Sequence, residues 1–328
     1  MTNMAISVVD SVMLLGGAQN SADVVALELL EQTSQPLQWQ GQTLATAFVA
    51  PPVSGQTVAQ RLLWLLEQLQ QQSNAFNQQQ VYLILPEQAA ADDSSLNTFL
   101  QLLMQRMPTL LMAPGCRVFP YGSAGALMAL NAAVQHIAQQ PDARIWLLAV
   151  DSLALSSALD LLASAPAPDA TVLSEGAIAL CIASDCNGIN IKWHGADASP
   201  GALPGQDSGI AALFLQLVQQ VQQPLTRFYL PDCGDEQQSS RWQLQYTHLH
   251  GAIDQSSQLV FPSYRCGELG ACGGLYRLWH LLSQLTTTCQ PGLIAQLEIS
   301  ARQYRALTLF KYGLQSADVA NLSTHKDV

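Results

Sequence analysis

The chain alternates short apolar runs with amphipathic segments, and this alternation limits the available folds more than any other feature. Apolar runs that suit strands buried on both faces lie at residues 5–15, 81–85, 144–149 and 176–183. Apolar residues at helical spacing predict helices over residues 57–71, 95–107 and 124–139. Strands that alternate with helices are typical of layered α/β folds. The sequence therefore predicts an α/β fold.

A faint internal repeat predicts that this fold is duplicated. Residues 118–120 (Val-Phe-Pro) lead through a turn into a helix and a strand, and residues 260–262 (Val-Phe-Pro) do the same 142 positions later. We expect two βαβαβ-type halves, residues 1–185 and 186–328, with a mobile tail after about residue 313. Residues 195–209 are rich in Gly, Pro, Ser and Asp, and they are interpreted as a linker between the halves.

Charge and composition exclude several classes of function. The chain carries 24 acidic and 13 basic residues and no Lys/Arg run, so nucleic-acid backbones and anionic membranes would be repelled. The first residues lack a positively charged segment and include Asp10, which predicts a strand rather than a signal peptide. Seven cysteines form no CxxC pair, as expected for reduced thiols. We expect a cytoplasmic protein with no nucleic-acid or membrane partner.

Four short segments, at residues 121–130 (YGSAGALMAL), 149–153 (AVDSL), 174–177 (SEGA) and 266–274 (CGELGACGG), resemble motifs of the β-ketoacyl synthases. The first resembles the nucleophile segment of that family, with Ser123 at the position of the reactive cysteine. Residues 149–153 (AVDSL) and 174–177 (SEGA) resemble a strand end and a following turn of that family. Residues 266–274 (CGELGACGG) resemble the segment with the second catalytic histidine, and Glu268 takes its place. The resemblance implies a thiolase-like fold, with duplicated βαβαβ halves in α-β-α-β-α layers.

Other family positions differ as well. The first catalytic histidine belongs to an HGTGTxxGD loop, of which only the final Gly-Asp at 234–235 is matched. An alignment without gaps places Arg227 at the position of that histidine, whereas an alignment with a shortened loop places Asp232 there. A family lysine is matched by Ser263, and residues 297–312 contain no copy of the GFGG oxyanion loop. The resemblance therefore implies that the Cys/His/His condensing set is lost.

The chemistry of Ser123 leaves two interpretations open. Condensation uses a thiolate nucleophile and neutral imidazoles, whereas a serine hydroxyl requires a dedicated base and an ionised Glu268 would repel an enolate. Ser123 beside Glu268 and one of Asp232 or Asp235 has the outline of a hydroxyl nucleophile with carboxylates. Alternatively, Ser123 only fills the cysteine site, and Glu268 caps a helix or forms an ion pair. The local GSAG sequence does not match the GxSxG elbow of α/β-hydrolases.

The histidines do not indicate a metal site or a cofactor. His248 and His250 form an HxH pair, which on a strand would place both rings on one face, as in many metal sites. No third ligand is evident from the sequence, so we expect no metal and no cofactor. His136, His194 and His280 are interpreted as packing or surface residues.

Two classes of function follow. The favoured class is a non-catalytic, ketosynthase-like binding or adaptor protein, a pseudoenzyme, with a chain-length-factor-like partner of an active ketosynthase as one form. The alternative is a Ser123-dependent acyl hydrolase or acyltransferase. Acidic acyl carrier proteins dock on basic patches, which this chain is poorly equipped to form. We expect a homodimer or heterodimer that pairs along the apolar run at 115–119. Whether the chain binds an acyl ligand is left open.

Overall fold

The computed structural model describes residues 4–18, 34–87, 93–154, 159–160, 163, 172–199, 207–234, 236–288 and 291–313. Its strands are β1 (Ala5–Leu15), β2 (Gln35–Trp39), β3 (Gln42–Ala47), β4 (Gln80–Ile84), β5 (Arg117–Phe119), β6 (Ile145–Ser152), β7 (Leu173–Ser184), β8 (Ile189–Ala198), β9 (Arg227–Tyr229), β10 (Gln258–Val260), β11 (Gly292–Ile299) and β12 (Tyr304–Tyr312). Its α-helices are α1 (Val58–Gln72), α2 (Asp93–Arg106), α3 (Pro108–Leu111), α4 (Ala124–Gln139), α5 (Ser208–Gln220), α6 (Glu236–Gln243) and α7 (Ala271–Thr288). Short 3-10 helices cover Tyr246–Leu249 and Pro262–Arg265.

The order of the strands is the same in both halves of the chain. The first half runs β5-β4-β6-β7-β1, and the second runs β10-β9-β11-β12-β8. Antiparallel pairing of β1 with β8, at Ile6 opposite Ile189, joins the two sets. The central helices begin at Ala124 and Ala271, so the structural repeat is offset by 147 residues rather than 142. This duplication confirms the predicted fold class.

The helices form three layers around the two sets of strands. Helices α4 and α7 pack against each other in the middle, and each contacts strands of both halves. Helices α1 and α2 share an apolar core with the first set of strands, and α5 shares another with the second set. The result is the predicted α-β-α-β-α arrangement.

Local sequence explains why several of these elements begin where they do. Thr57 and Gln60 form a capping box at the start of α1, in which each side chain bonds the backbone N–H of the other residue. The Asp207 side chain accepts the N–H of Ile210 and caps α5. Strand β6 is apolar on both faces because helices cover both sides of the sheet.

Some details of the prediction were wrong. The stretch at 195–209 does not separate the halves, since Gly195 lies in β8, the first strand of the second half. The boundary at residue 185 stays a prediction; β7 ends at Ser184 and β8 begins at Ile189. The β2–β3 hairpin was not predicted, and the proposed tail lies outside the described residues. No helix in the described ranges is long and apolar enough to cross a membrane.

Candidate functional site

Ser123 lies immediately before α4, at the centre of the molecule. It follows Gly122, whose φ of +61° is a conformation that favours glycine. The Ser123 side chain is buried, and its hydroxyl donates a hydrogen bond to the Ile299 carbonyl oxygen at 3.1 Å. Within the described ranges it forms no hydrogen bond to a carboxylate. The hydroxyl is therefore directed at the backbone of β11.

The turn between β11 and β12 closes over the start of α4. Ser300 Oγ donates to the Tyr121 carbonyl at 2.5 Å and accepts the Ala124 N–H at 3.0 Å. The Glu87 carboxylate, which follows β4, accepts the backbone N–H groups of Arg302 at 2.8 Å and Gln303 at 2.7 Å. These bonds hold the second half's turn against the first half's serine.

Glu268 lies in the extended segment before α7 and is half-buried. Its Oε1 accepts the Gly270 N–H at 2.8 Å, and its Oε2 is 3.3 Å from the Cys233 thiol, which donates to it. The residue beside Glu268 is thus Cys233, which the sequence analysis did not single out. Cys233 is almost fully buried, in the loop after β9.

The other candidates for the first histidine position lie apart from this contact. Asp232 is half-buried, and its Oδ1 accepts the Gly234 N–H at 3.0 Å within the same turn. Arg227 is the first residue of β9. Asp235 lies outside the described residues. The described structure thus brings Glu268 together with Cys233, and Ser123 bonds to neither Glu268 nor Asp232. The catalytic roles of Ser123, Glu268 and Asp232 stay predictions.

A buried ion pair stands next to these positions. Arg277 on α7 donates from Nε to Oε1 of Glu298 on β11 at 2.7 Å and from a terminal nitrogen to Oε2. Arg277 also donates to the Ser263 hydroxyl, and the Gln296 amide donates to Glu298 Oε1 at 2.8 Å. Burial alone would lower the pKa of Arg277, but the carboxylates of Glu298 and Glu268 outweigh it and raise that pKa.

Gly274 brings this ion pair close to Ser123. A Cβ at Gly274 would lie 2.5 Å from the Ser123 carbonyl oxygen, 2.6 Å from the Ala126 Cβ and 3.2 Å from Glu298 Oε2. Only glycine lets α4 and α7 approach this closely. The centre of the site is consequently filled by backbone and by the Arg277–Glu298 pair.

Asp151 lies at the end of β6 and caps the start of α7. Its Oδ2 accepts the Ala271 N–H and its Oδ1 accepts the Ser152 N–H, both at 2.7 Å. Burial raises the pKa of Asp151 to about 7, and the charge of Glu268 adds to the rise while the two N–H donors oppose it. At the start of α7, the Glu268 carboxylate therefore accepts the N–H of Gly270 and the Asp151 carboxylate accepts the N–H of Ala271.

The described residues contain no group of three or more His, Cys, Asp or Glu side chains placed to hold a metal. His248 lies in the 3-10 helix Tyr246–Leu249 and His250 follows that helix, so the two histidines do not share a strand. His194 on β8 hydrogen-bonds to the Thr308 hydroxyl at 2.9 Å, and burial lowers its pKa to about 4. It is thus a packing residue, as interpreted.

The fold is that of known condensing enzymes. It superposes on the ketosynthase from module 6 of the bacillaene synthase of Bacillus subtilis 168 with a TM-score of 0.66 and 11% identity, over 99% of this chain and 78% of that one. The chain has the thiolase-like fold of the ketosynthases. The ishigamide ketosynthase/chain length factor gives a TM-score of 0.62 and 11% identity, over 94% of this chain and 99% of that one.

Another match is a ketosynthase in complex with its chain length factor from Xenorhabdus doucetiae, with a TM-score of 0.59 and 11% identity, over 94% of this chain and 98% of that one. No protein-family model matches the sequence, and no curated protein matches it either. This thiolase-like chain therefore shares its fold, and little of its sequence, with the ketosynthases.

One sequence signal could have located the ion pair. The run LIAQLEI at 293–299 has the length and apolar character of a buried strand, yet it contains Gln296 and Glu298. Both are fully buried. An ionised carboxylate that is fully buried is stabilised by a paired cation, and Arg277 is the one arginine or lysine in the sequence of α7. Cys233 had no comparable signal.

Proposed function

We propose that this thiolase-like chain does not condense acyl groups and works by binding a protein partner. One observation carries the proposal: the Ser123 hydroxyl donates to the Ile299 carbonyl, while Glu268 is engaged by Cys233 and Gly270. No group in the described residues that hydrogen-bonds to Ser123 is able to accept its proton as a base. A serine without a base is a weak nucleophile at neutral pH.

The Arg277–Glu298 pair supports the same proposal. It stands beside Ser123, where a reacting acyl group would need space and donors for a developing negative charge. Both side chains are buried and their charges compensate each other, so the guanidinium is already bonded to a carboxylate rather than available to a developing negative charge. This part of the site therefore resembles the packed interior of a protein.

The partner is proposed to bind along β5. This strand ends the sheet, and an unpaired edge invites pairing with another chain. Met112, shortly before it in sequence, exposes 72% of its surface, which favours an apolar interface nearby. Matched structures include ketosynthases that assemble with chain length factors, so a heterodimer with a ketosynthase is one form of this proposal and a homodimer is the other.

Sedimentation velocity tests the interface. We expect a dimer at micromolar concentration, formed either by this chain alone or with a co-expressed ketosynthase, and a monomer for Val118→Asp under the same conditions. A charged residue at the centre of the strand should block pairing, and far-ultraviolet circular dichroism checks that the variant is folded. Dimers that persist in Val118→Asp would contradict the assignment to β5, and a monomer under every condition would contradict pairing.

The hydrolase alternative is tested with p-nitrophenyl octanoate and with acyl thioesters. We expect the wild type and Ser123→Ala to show the same background hydrolysis. Turnover that is present in the wild type and absent in Ser123→Ala would instead establish a serine enzyme. The geometry of Ser123 argues against that outcome, because its hydroxyl bonds to a peptide carbonyl.

A further inference from the structure

A groove of about 310 Å³ lies beside β10, at the end of the sheet opposite β5. It is bounded by β10, the 3-10 helix Pro262–Arg265 and one face of α7. This volume is at the lower end of the range for small-molecule sites, about 300–1,000 Å³. The groove does not include Ser123 or the residues around it.

The walls of this β10 groove combine apolar surface with nitrogen donors. Phe261, Pro262 and Tyr276 contribute apolar surface. Arg265 and His280 contribute a guanidinium and an imidazole, and Gln284 adds an amide. None of the described residues that line it is acidic, although the chain has almost twice as many acidic as basic residues. The local chemistry therefore favours a ligand that carries a negative charge.

The internal repeat shows that these polar groups are a property of the second half alone. The face of α7 that lines the groove carries Tyr276, His280 and Gln284, four residues apart on one side of the helix. The same positions of α4, offset by 147 residues, are Ala129, Ala133 and Ile137, which are all fully buried in the core. The fold alone thus requires only small or apolar residues there.

We propose that the β10 groove binds a small apolar carboxylate, whose charge contacts Arg265 and His280 and whose apolar part packs on Phe261 and Tyr276. Arg265 is exposed, and the planar guanidinium has the forked donor geometry that suits a carboxylate. His280 lies 3.3 Å from the Tyr229 hydroxyl, which fixes the position of the imidazole. The proposal is independent of the function proposed above, because it uses none of the same residues.

Calorimetric titration of the purified chain tests the proposal with four probes: octanoate, 3-phenylpropanoate, and the matching alcohols 1-octanol and 3-phenylpropanol. At least one carboxylate should bind, and its alcohol should bind about tenfold more weakly or not at all, since only the carboxylate makes charged hydrogen bonds. Preference for octanoate or for 3-phenylpropanoate tells an alkyl from an aromatic ligand. Equal binding of the acid and its alcohol would overturn the proposal.

The variants Arg265→Gln and His280→Gln locate the binding. Each should weaken carboxylate binding by about tenfold or more, because it replaces the guanidinium or the imidazole that faces the carboxylate with a polar amide. Arg144→Gln is the matched control, since it removes an exposed arginine that precedes β6 in the first half and belongs to neither the groove nor β5. Binding that is absent in the folded wild type, or that Arg265→Gln and His280→Gln leave unchanged, would overturn the proposal.

Discussion

The pH dependence of folding should report the burial of Asp151. Only 7% of this residue is exposed, and its two oxygens accept the N–H groups of Ser152 and Ala271. Within the described ranges it forms no ion pair, and its neighbour Glu268 carries the same charge. The fold thus holds a carboxyl group in a place that favours its neutral form.

The size of the effect follows from the two pKa values. Burial raises the pKa of Asp151 from 3.8 to about 7, so the folded chain keeps a proton that the unfolded chain has lost. This group stabilises the fold fully below about pH 3.8, and its contribution is lost as the pH rises through 7. At ~1.36 kcal/mol per pKa unit, the total is roughly 4 kcal/mol, of which roughly 2–3 kcal/mol falls between pH 5 and pH 8.

Urea denaturation of the wild type and Asp151→Asn at several pH values measures this contribution. The free energy of unfolding of the wild type should fall by roughly 2–3 kcal/mol from pH 5 to pH 8 more than that of the variant. Below about pH 3.8, where Asp151 is neutral in both the folded and the unfolded chain, the variant should be less stable than the wild type by about 1 kcal/mol, because its amide nitrogen cannot accept an N–H. Asp10→Asn, at an exposed site, should keep the wild-type drop. Parallel curves for the wild type and Asp151→Asn would refute the reasoning.

Two further contacts, one at Gly274 and one between Arg61 and Glu175, are probed by the same assay. Gly274→Ala should lower the free energy of unfolding by about 1–3 kcal/mol, since its Cβ would lie 2.5 Å from the Ser123 carbonyl oxygen; unchanged stability would show that α4 and α7 can separate. Arg61→Met should cost about 3–5 kcal/mol because it leaves the buried Glu175 carboxylate without its cation, and Arg61→Met combined with Glu175→Met should recover part of that loss. Equal loss in the single and double variants would contradict this explanation.

The duplicated fold could be predicted because its signals are local. The predicted run at 5–15 has the same bounds as β1, and the predicted helix at 124–139 has the same bounds as α4. The repeat was recognisable from two Val-Phe-Pro segments, although the 3-10 helix Pro262–Arg265 occurs only in the second copy and shifts the structural offset to 147. Local propensity and apolar periodicity are sufficient for such elements.

The contacts of the site could not be predicted, because they join distant parts of the chain. Cys233 meets Glu268 across 35 residues, and the Ser123 hydroxyl meets Ile299 across 176 residues. Neither contact produces a periodic pattern in the sequence. The motif match located Ser123 and Glu268 at adjoining helix starts, but which atoms accept their hydrogen bonds depends on the packing of both halves.

The central claim of the proposed function is that this chain does not carry out decarboxylative condensation. The most direct measurement incubates the wild type and Ser123→Cys with malonyl and acyl thioesters, and follows carbon dioxide release and acyl transfer by mass spectrometry. We expect neither protein to release carbon dioxide above the buffer rate, because a restored thiol alone lacks imidazoles to support the enolate and residues of one catalytic unit act together. Release of carbon dioxide by the wild type, or its appearance in Ser123→Cys, would contradict the account.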